Sequence, residues 1–230
     1  MNPHGRPEGR MPPPGGDARG ARGAPMTDAR VLLPILQGER CLMRALVPAD
    51  APALVTHAND PEVARNLFDG FPQPYTLEAA TAWATHESQS GAFGWVWGIV
   101  VDDAVVGCIG LKQASGWVRC NAEIGYWIGQ SHWRRGVASD AVRQVTDWAF
   151  AAVPEITRIH APIFARNEGS QAVVRKCGYV REGALKQSAI KDGTVIDRVL
   201  WATYRTEIAR RDADIGAALA ATATSAMERA

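Results

Sequence analysis

The sequence predicts an α/β fold of the α+β kind: one domain with a central mixed β-sheet flanked by helices. Three observations lead there. Apolar residues recur with period two in several short runs and at three- and four-residue spacing in others. Short acidic or Asp-Gly turns join neighbouring strand-like runs, as in hairpins. In the middle of the chain a strand is followed by a long amphipathic helix and another strand, the pattern of a parallel crossover.

The elements follow in order. "GERCLMRAL" reads as the opening strand, and "VPADAPALVTHAND" as a helix with Asp50 at its N-cap. "PYTLEAATAWATHES" has the same character, with Thr76 leading a helix. "WVWGIVV" and "AVVGCIGL" flank Asp102 and Asp103 as the arms of a hairpin. "NAEIGYWI" alternates: Ala122, Ile124, Tyr126 and Ile128 share one face, and Glu123, Gly125 and Trp127 the other. After Gly136 an apolar stripe runs from Val137 to Ala152 at helical spacing and stops before Pro154. "RIHAPIFA" is a strand that carries Pro162, a residue tolerated on an edge or where a strand is unpaired. "EGSQAVVRKCG" is a short helix with Gly178 just past its end, and "YVREGALKQSAIKDGTVIDRVLWATY" is two strands about an Asp192–Gly193 turn.

These elements occupy residues 30–208. Residues 1–29 are dense in Gly, Pro and Arg, with no apolar stretch of the kind a signal peptide carries, and cannot bury enough to offset the entropy of ordering. They are expected to be a disordered tail, functional or the product of a start upstream of Met26. Residues 209–230 are Ala-rich and fit a frayed helix or a second disordered tail. A net charge of +1 over 230 residues argues against nucleic acid as a partner, and no window is apolar enough for a membrane span. Cys41, Cys108, Cys120 and Cys177 sit in or beside apolar segments without paired spacing. They are expected to be buried thiols of a cytoplasmic protein, monomer or homodimer, with no metal site.

The stretch "GYWIGQSHWRRGVASDA" carries the first chemistry. A strand that feeds a glycine turn and then a helix exposes unpaired backbone N–H groups backed by the positive end of the helix dipole, a geometry that binds phosphate. Gly136 permits close approach, and Arg134 and Arg135 can neutralise a dianion. Neither a Walker loop nor a dinucleotide fingerprint is present. Plain turn chemistry and solvated arginines remain the alternative.

"RGVASDAV", preceded by "EIGYWIGQSHW", resembles the acetyl-CoA signature of the GNAT N-acetyltransferases, with Gly136 and Ala138 in the last two fixed places and Trp133 where Gln or Arg often stands. "FARNEGSQAVVRKCGYVREG", "GERCLMRALVPADAPAL" and "NDPEVARNL" resemble blocks of the RimJ/RimL-like branch, so the similarity runs from about residue 36 to 205. It implies a GNAT fold with a splayed sheet and acetyl-CoA as acetyl donor. The pyrophosphate would rest on Arg134, Arg135, Gly136, Val137 and Ala138, and the pantetheine arm along Tyr126, Trp127 and Ile128. Asn167 would hydrogen-bond that arm and Ser170 would lie near the thioester sulfur, although both residues are also good helix caps.

Glu123, on the polar face of the strand entering the loop, is the candidate general base; a solvated strand glutamate is the alternative. The tyrosine acid of many GNATs is replaced by Val174, so Ser170 would donate or relay the proton to sulfur. A glutamate of the RimL-like branch is replaced by Ala189. Trp95, Trp97, Trp127 and Trp133 are candidates for an apolar acceptor pocket. The function implied is acetyl transfer to a primary amine, a protein N-terminus or a small molecule. A catalytically silent GNAT-like module that binds CoA is the alternative, kept open by Val174 and Ala189.

Overall fold

A computed structural model describes residues 33–88 and 91–206. The expected tails at 1–29 and 209–230 lie outside the described residues. Eight strands form one sheet in the order β1-β2-β3-β4-β5-β6-β8-β7. Strands β1 (Leu36–Gln37), β2 (Leu42–Arg44), β3 (Trp95–Val101), β4 (Ala104–Gln113) and β5 (Asn121–Ile128) run antiparallel to their neighbours. So do β6 (Arg158–Phe164), β8 (Thr194–Tyr204) and β7 (Val180–Lys191). The junction of β5 with β6 is parallel, because α4 (Val137–Ala152) intervenes as the crossover. Helices α1 (Ala51–Ala58), α2 (Pro61–Ala64) and α3 (Leu77–Ala82) precede β3, and α5 (Glu168–Lys176) follows β6. The mixed sheet is thus as expected; β1 and α2 are additions too short for a periodicity to announce.

The parallel junction ends early. β5 and β6 pair only over Asn121–Glu123 and Arg158–His160, although both strands continue for four or more residues. The cause is in the sequence. The Arg158 N–H donates to Cys120 O at 3.1 Å. Amides alternate sides along a strand, so the next donors toward β5 are His160 and then Pro162. Pro162 has no N–H, the ladder stops, and the strands part.

The apolar stripe of α4 (Ala141, Val142, Val145, Ala149) is fully buried against one face of the sheet, with Ile109, Leu111, Ile124, Ile159 and Val174. Burial of such side chains stabilises the fold by roughly 1.5–3 kcal/mol each. Trp97 is wholly buried here: its indole donates to Pro34 O at 2.8 Å, and its ring meets Trp148 edge-on, as does that of Trp95. Of the four candidate pocket tryptophans, Trp97 is therefore a core residue on the α4 face and Trp95 packs against the core beside it.

The start of α4 is tied down by Asp140, whose side chain is buried. Its carboxylate accepts the Arg40 N–H at 2.8 Å, and Gly38 passes so close that a Cβ there would lie 2.1 Å from Oδ2. Asp50, expected to cap α1, instead accepts two bonds from the Arg44 guanidinium (2.7 and 2.9 Å) and one from the Val47 N–H (2.8 Å). A charged partner outcompetes the helix end for a carboxylate. Thr76 does cap α3, accepting from the Ala79 N–H at 3.1 Å.

Of the four free thiols, Cys41, Cys108 and Cys177 are buried, and Cys120 is exposed in the loop before β5, contrary to the expectation that all four lie inside. Burial, with Asp140 beside it, pushes the Cys41 thiol up to about 12, and burial does the same for Cys108. Since the thiolate is the reactive form, a disulfide-exchange reagent at pH 8 should titrate one thiol rapidly and the other three only on unfolding. Cys120→Ser should remove the fast phase; a fast phase that survives it would contradict this packing.

Candidate active site

Two cavities meet where β5 and β6 part. The first, of about 600 Å³, is lined by the end of β5, the loop into α4, the first turn of α4 and the start of α5. The loop is built by left-handed backbone: Arg134 has φ +60° and Gly136 φ +80°. A Cβ on Gly136 would come within 2.9 Å of Arg40 Cδ, which a flexible side chain can yield, so the left-handed backbone is the stronger reason for a glycine here. The loop is held from both sides. Trp133 donates its indole N–H to Ile128 O at 2.7 Å, and Arg40 donates to Arg135 O at 3.2 Å.

Beyond Gly136 the first helical bond is Asp140 N to Gly136 O, and no side chain caps the end of α4. The amides of Val137, Ala138 and Ser139 thus open onto the cavity that these residues line. Arg65, Arg134, Arg166 and Lys176 contribute cationic lining, against Glu62 and Glu168. Glu62 is paired with Arg65 at 3.0 Å. Of the residues predicted for the phosphate cradle, Arg134, Gly136, Val137 and Ala138 line this cavity and Arg135 does not. Arg65, Arg166 and Lys176 were missed by the sequence reading, since only the fold brings α2 and α5 to the same opening.

The second cavity, of about 750 Å³, lies on the Glu123–Trp127 face of β5. Its walls carry a cluster of aromatic rings among aliphatic residues: Phe71 stacks on Tyr75 with centroids 4.8 Å apart and meets Trp127 edge-on, and Trp83 meets Phe93 at 5.0 Å. The segment after α2 roofs both cavities, with Asn66 and Leu67 lining each. It is tied across the gap by Arg166, which donates to Arg65 O at 2.7 Å. Of the four candidate tryptophans, Trp127 lines both cavities and Trp133 the first.

Tyr126, Trp127, Asn167 and Ser170 are common to the two linings, so these residues form the passage between them. Asn167 caps α5, its Oδ1 accepting the Ser170 N–H at 3.1 Å. The capping reading therefore holds. The Tyr126 hydroxyl lies 2.9 Å from Ser170 Oγ and 3.1 Å from Ser170 O. Burial pushes this phenol well above its ordinary range, so it stays protonated. The Tyr126–Ser170 contact spans 44 residues of sequence and had no local signal. Val174 is fully buried and has no access to the passage, whereas Ala189 lines the second cavity beside a bulge in β7.

Glu123 lines the second cavity. It stands in a row across three strands, opposite Lys112 of β4 and His160 of β6. His160 Nε2 lies 3.6 Å from Glu123 Oε2, and His160 Nδ1 is buried without a partner among the described residues. The His160 ring beside it, followed by the charges of Arg198 and Lys112, holds the Glu123 carboxyl below its ordinary value despite partial burial. His160 was not singled out from sequence, because the register of a parallel pair has no local signature. Among the described residues no group of three or more His, Cys, Asp or Glu side chains is placed to hold a metal, and no helix is long and apolar enough to cross a membrane.

Residues 40–180 match the family model described as an acetyltransferase (GNAT) domain. The chain is 32% identical over 173 residues to the uncharacterized N-acetyltransferase YoaA of Bacillus subtilis, covering 72% of this chain and 94% of that protein. Its fold is similar to that of a GNAT-family acetyltransferase from Bacillus anthracis, with a TM-score of 0.64 and 21% identity over 75% of this chain and 99% of the other. It is also similar to RimJ of Mycobacterium smegmatis, solved in complex with CoA-disulfide, with a TM-score of 0.68 and 23% identity over 76% and 89% of the two chains.

The row at Glu123 has a titration consequence. A carboxyl depressed by a neighbouring imidazole should move back toward its ordinary value when that ring is removed. In carbon-detected NMR titrations, His160→Gln is expected to raise the Glu123 pKa, while Arg198 and Lys112 keep part of the depression. An unchanged Glu123 titration would mean that the two side chains do not interact in solution.

Proposed function

The chain belongs to the GNAT acetyltransferase family, and from that premise we propose that it transfers an acetyl group from acetyl-CoA directly to a primary amine. The acceptor class is a protein N-terminal α-amine or a small-molecule amine. The observation that carries this reading is the passage at Tyr126, Asn167 and Ser170, where a cation-lined cavity opens into an aromatic one. The domain is read as residues 30–208 and its site of action as the cytoplasm, supported by four free thiols.

The smaller cavity suits the donor. The free amides of Val137, Ala138 and Ser139, the left-handed turn at Arg134 and Gly136, and the nearby cations favour a pyrophosphate. Arg135, outside the lining, adds charge at the rim. Tyr126–Ile128, paired with β4 on one side and left unpaired on the β6 side by the gap, offer backbone groups to the amide arm, and the Asn167 amide adds a further contact. Acetyl-CoA supplies a thioester carbonyl and a thiolate leaving group.

The larger cavity suits the acceptor. As the amine nitrogen bonds to the acetyl carbon, Glu123 takes its proton; as the carbon–sulfur bond breaks, the Tyr126–Ser170 pair delivers a proton to sulfur. Glu123 is a weak base because His160 stands beside it. A chain-terminal α-amine needs only about 1–1.4 kcal/mol to become neutral at pH 7, from a pKa of about 7.7–8.0, whereas a lysine needs roughly 4.6 kcal/mol from about 10.4. A weak base therefore suits an α-amine better than an alkyl ammonium. Val174, one of the two features that favoured a silent module, loses its weight if Tyr126 fills the acid's place; Ala189 remains the other.

The test is free-thiol release from acetyl-CoA across a panel of amines and N-terminal peptides, with Glu123→Gln beside the native protein. Turnover is expected for the native chain. The variant should lose about 10²–10⁴ in kcat at pH 7, and the deficit should shrink as pH rises and the amine deprotonates unaided. Acetyl-CoA binding without turnover of any amine would establish the silent module instead.

A further inference from the structure

The acceptor cavity holds charge that acetyl transfer does not use. Arg198, on β8 opposite Phe164 of β6, is half-buried and lines the cavity. Its Nε donates to Ser188 Oγ at 3.2 Å, beside the β7 bulge, which fixes the plane of the guanidinium. Among the described residues no carboxylate lies within ion-pair distance of Arg198, and its two terminal nitrogens have no protein partner. Its charge is felt by the Glu123 carboxyl across the cavity, and a guanidinium with two terminal nitrogens open to the cavity is well suited to a planar anion, which it can grip with two parallel bonds.

The surroundings narrow the anion's owner. Among the described residues, the charged ones that line this cavity are Lys112, Arg198 and Glu123. A purely cationic acceptor such as a polyamine would gain one carboxylate and face two like charges. An acceptor that brings its own carboxylate meets a balanced set: Glu123 for the amine, and the cations for the anion. Much of the rest is apolar, with the aromatic cluster of Phe71, Tyr75, Trp83, Phe93 and Trp127 beside aliphatic residues such as Ile109 and Ile163, which suits a large apolar side chain.

We propose that the acceptor is a free α-amino acid with an aromatic or large apolar side chain, anchored through its carboxylate by Arg198. This rests on the acetyl-transfer reading above. The amine is presented to Glu123 at the passage, the side chain lies among the aromatic rings, and the carboxylate takes the two free nitrogens of Arg198. A peptide N-terminus has an amide where the amino acid has a carboxylate, and so leaves the guanidinium unpaired. In water that carboxylate makes the amino acid's α-amine more basic than a chain terminus; pairing it with Arg198 offsets this effect and eases loss of the proton to Glu123.

The experiment compares L-phenylalanine with L-phenylalanine amide, which stands for a peptide N-terminus, as acceptors for the native chain, Arg198→Gln and Arg198→Lys. The expected result is that Arg198→Gln lowers kcat/KM for phenylalanine relative to the amide by tenfold or more, and that Arg198→Lys restores part of the ratio. Taking the ratio cancels any change common to both acceptors, including one in folding, and measuring it at a pH where both amines are largely neutral removes the effect of the altered Glu123 carboxyl. An unchanged ratio, or a native chain that accepts the amide or peptides and not phenylalanine, would overturn the proposal. Calorimetric acetyl-CoA binding on the same preparations separates the two readings. Retained binding with an unchanged ratio removes the Arg198 anchor alone, and no binding in the native chain removes acetyl transfer and the amino-acid acceptor with it.

Discussion

A missing amide hydrogen governs the architecture of the site. Pro162 occupies the position on β6 whose N–H would extend the parallel ladder toward β5, and the ladder ends one step before it, at Glu123 and His160. From that point the end of β5 has open backbone on one side, and the two cavities can reach each other through the sheet. The crossover helix α4 must span the same junction, which puts its uncapped N-terminus beside the gap. A residue able to donate at position 162 would favour closing the strands, leaving a continuous sheet with two separate hollows.

The gap also separates two electrostatic environments. On one side, helix amides, arginines and a lysine favour a polyanion; on the other, an aromatic enclosure contains a short row of Lys112, Glu123 and His160 with Arg198 near it. The passage between them carries neutral hydrogen-bonding groups, a phenol kept protonated by burial and the serine it contacts. In the proposed reaction this division lets phosphate charge be neutralised without drawing the amine toward the wrong side. The supports are remote: Asp140 and Arg40 hold the glycine loop, and Arg166 ties the roof down.

Local patterns made much of this legible. The two-residue alternation of 121–128 placed Glu123 and Tyr126 on opposite faces, the stripe after Gly136 located α4, and the oddity of Pro162 pointed to an unpaired strand. Each depends on neighbours in sequence. What stayed hidden depends on pairing across long separations. His160 faces Glu123 through a parallel register, Tyr126 meets Ser170 through the crossover, and Arg198 enters the cavity because β8 is inserted between β6 and β7. Composition misled where residue type stood in for location: Trp95 and Trp97 pack under α4, Cys120 is exposed, and Asp50 serves Arg44 in place of the helix end.

If the two cavities form one reaction chamber, donor and acceptor must be bound together when the bond forms, and no acetylated protein should intervene. Initial rates measured while both acetyl-CoA and the amine are varied test this most directly. Direct transfer across the passage predicts double-reciprocal lines that intersect, the mark of a ternary complex. Parallel lines, with acetyl-CoA alone leaving a stable acetyl group on the chain, would contradict it and move the chemistry to a covalent intermediate.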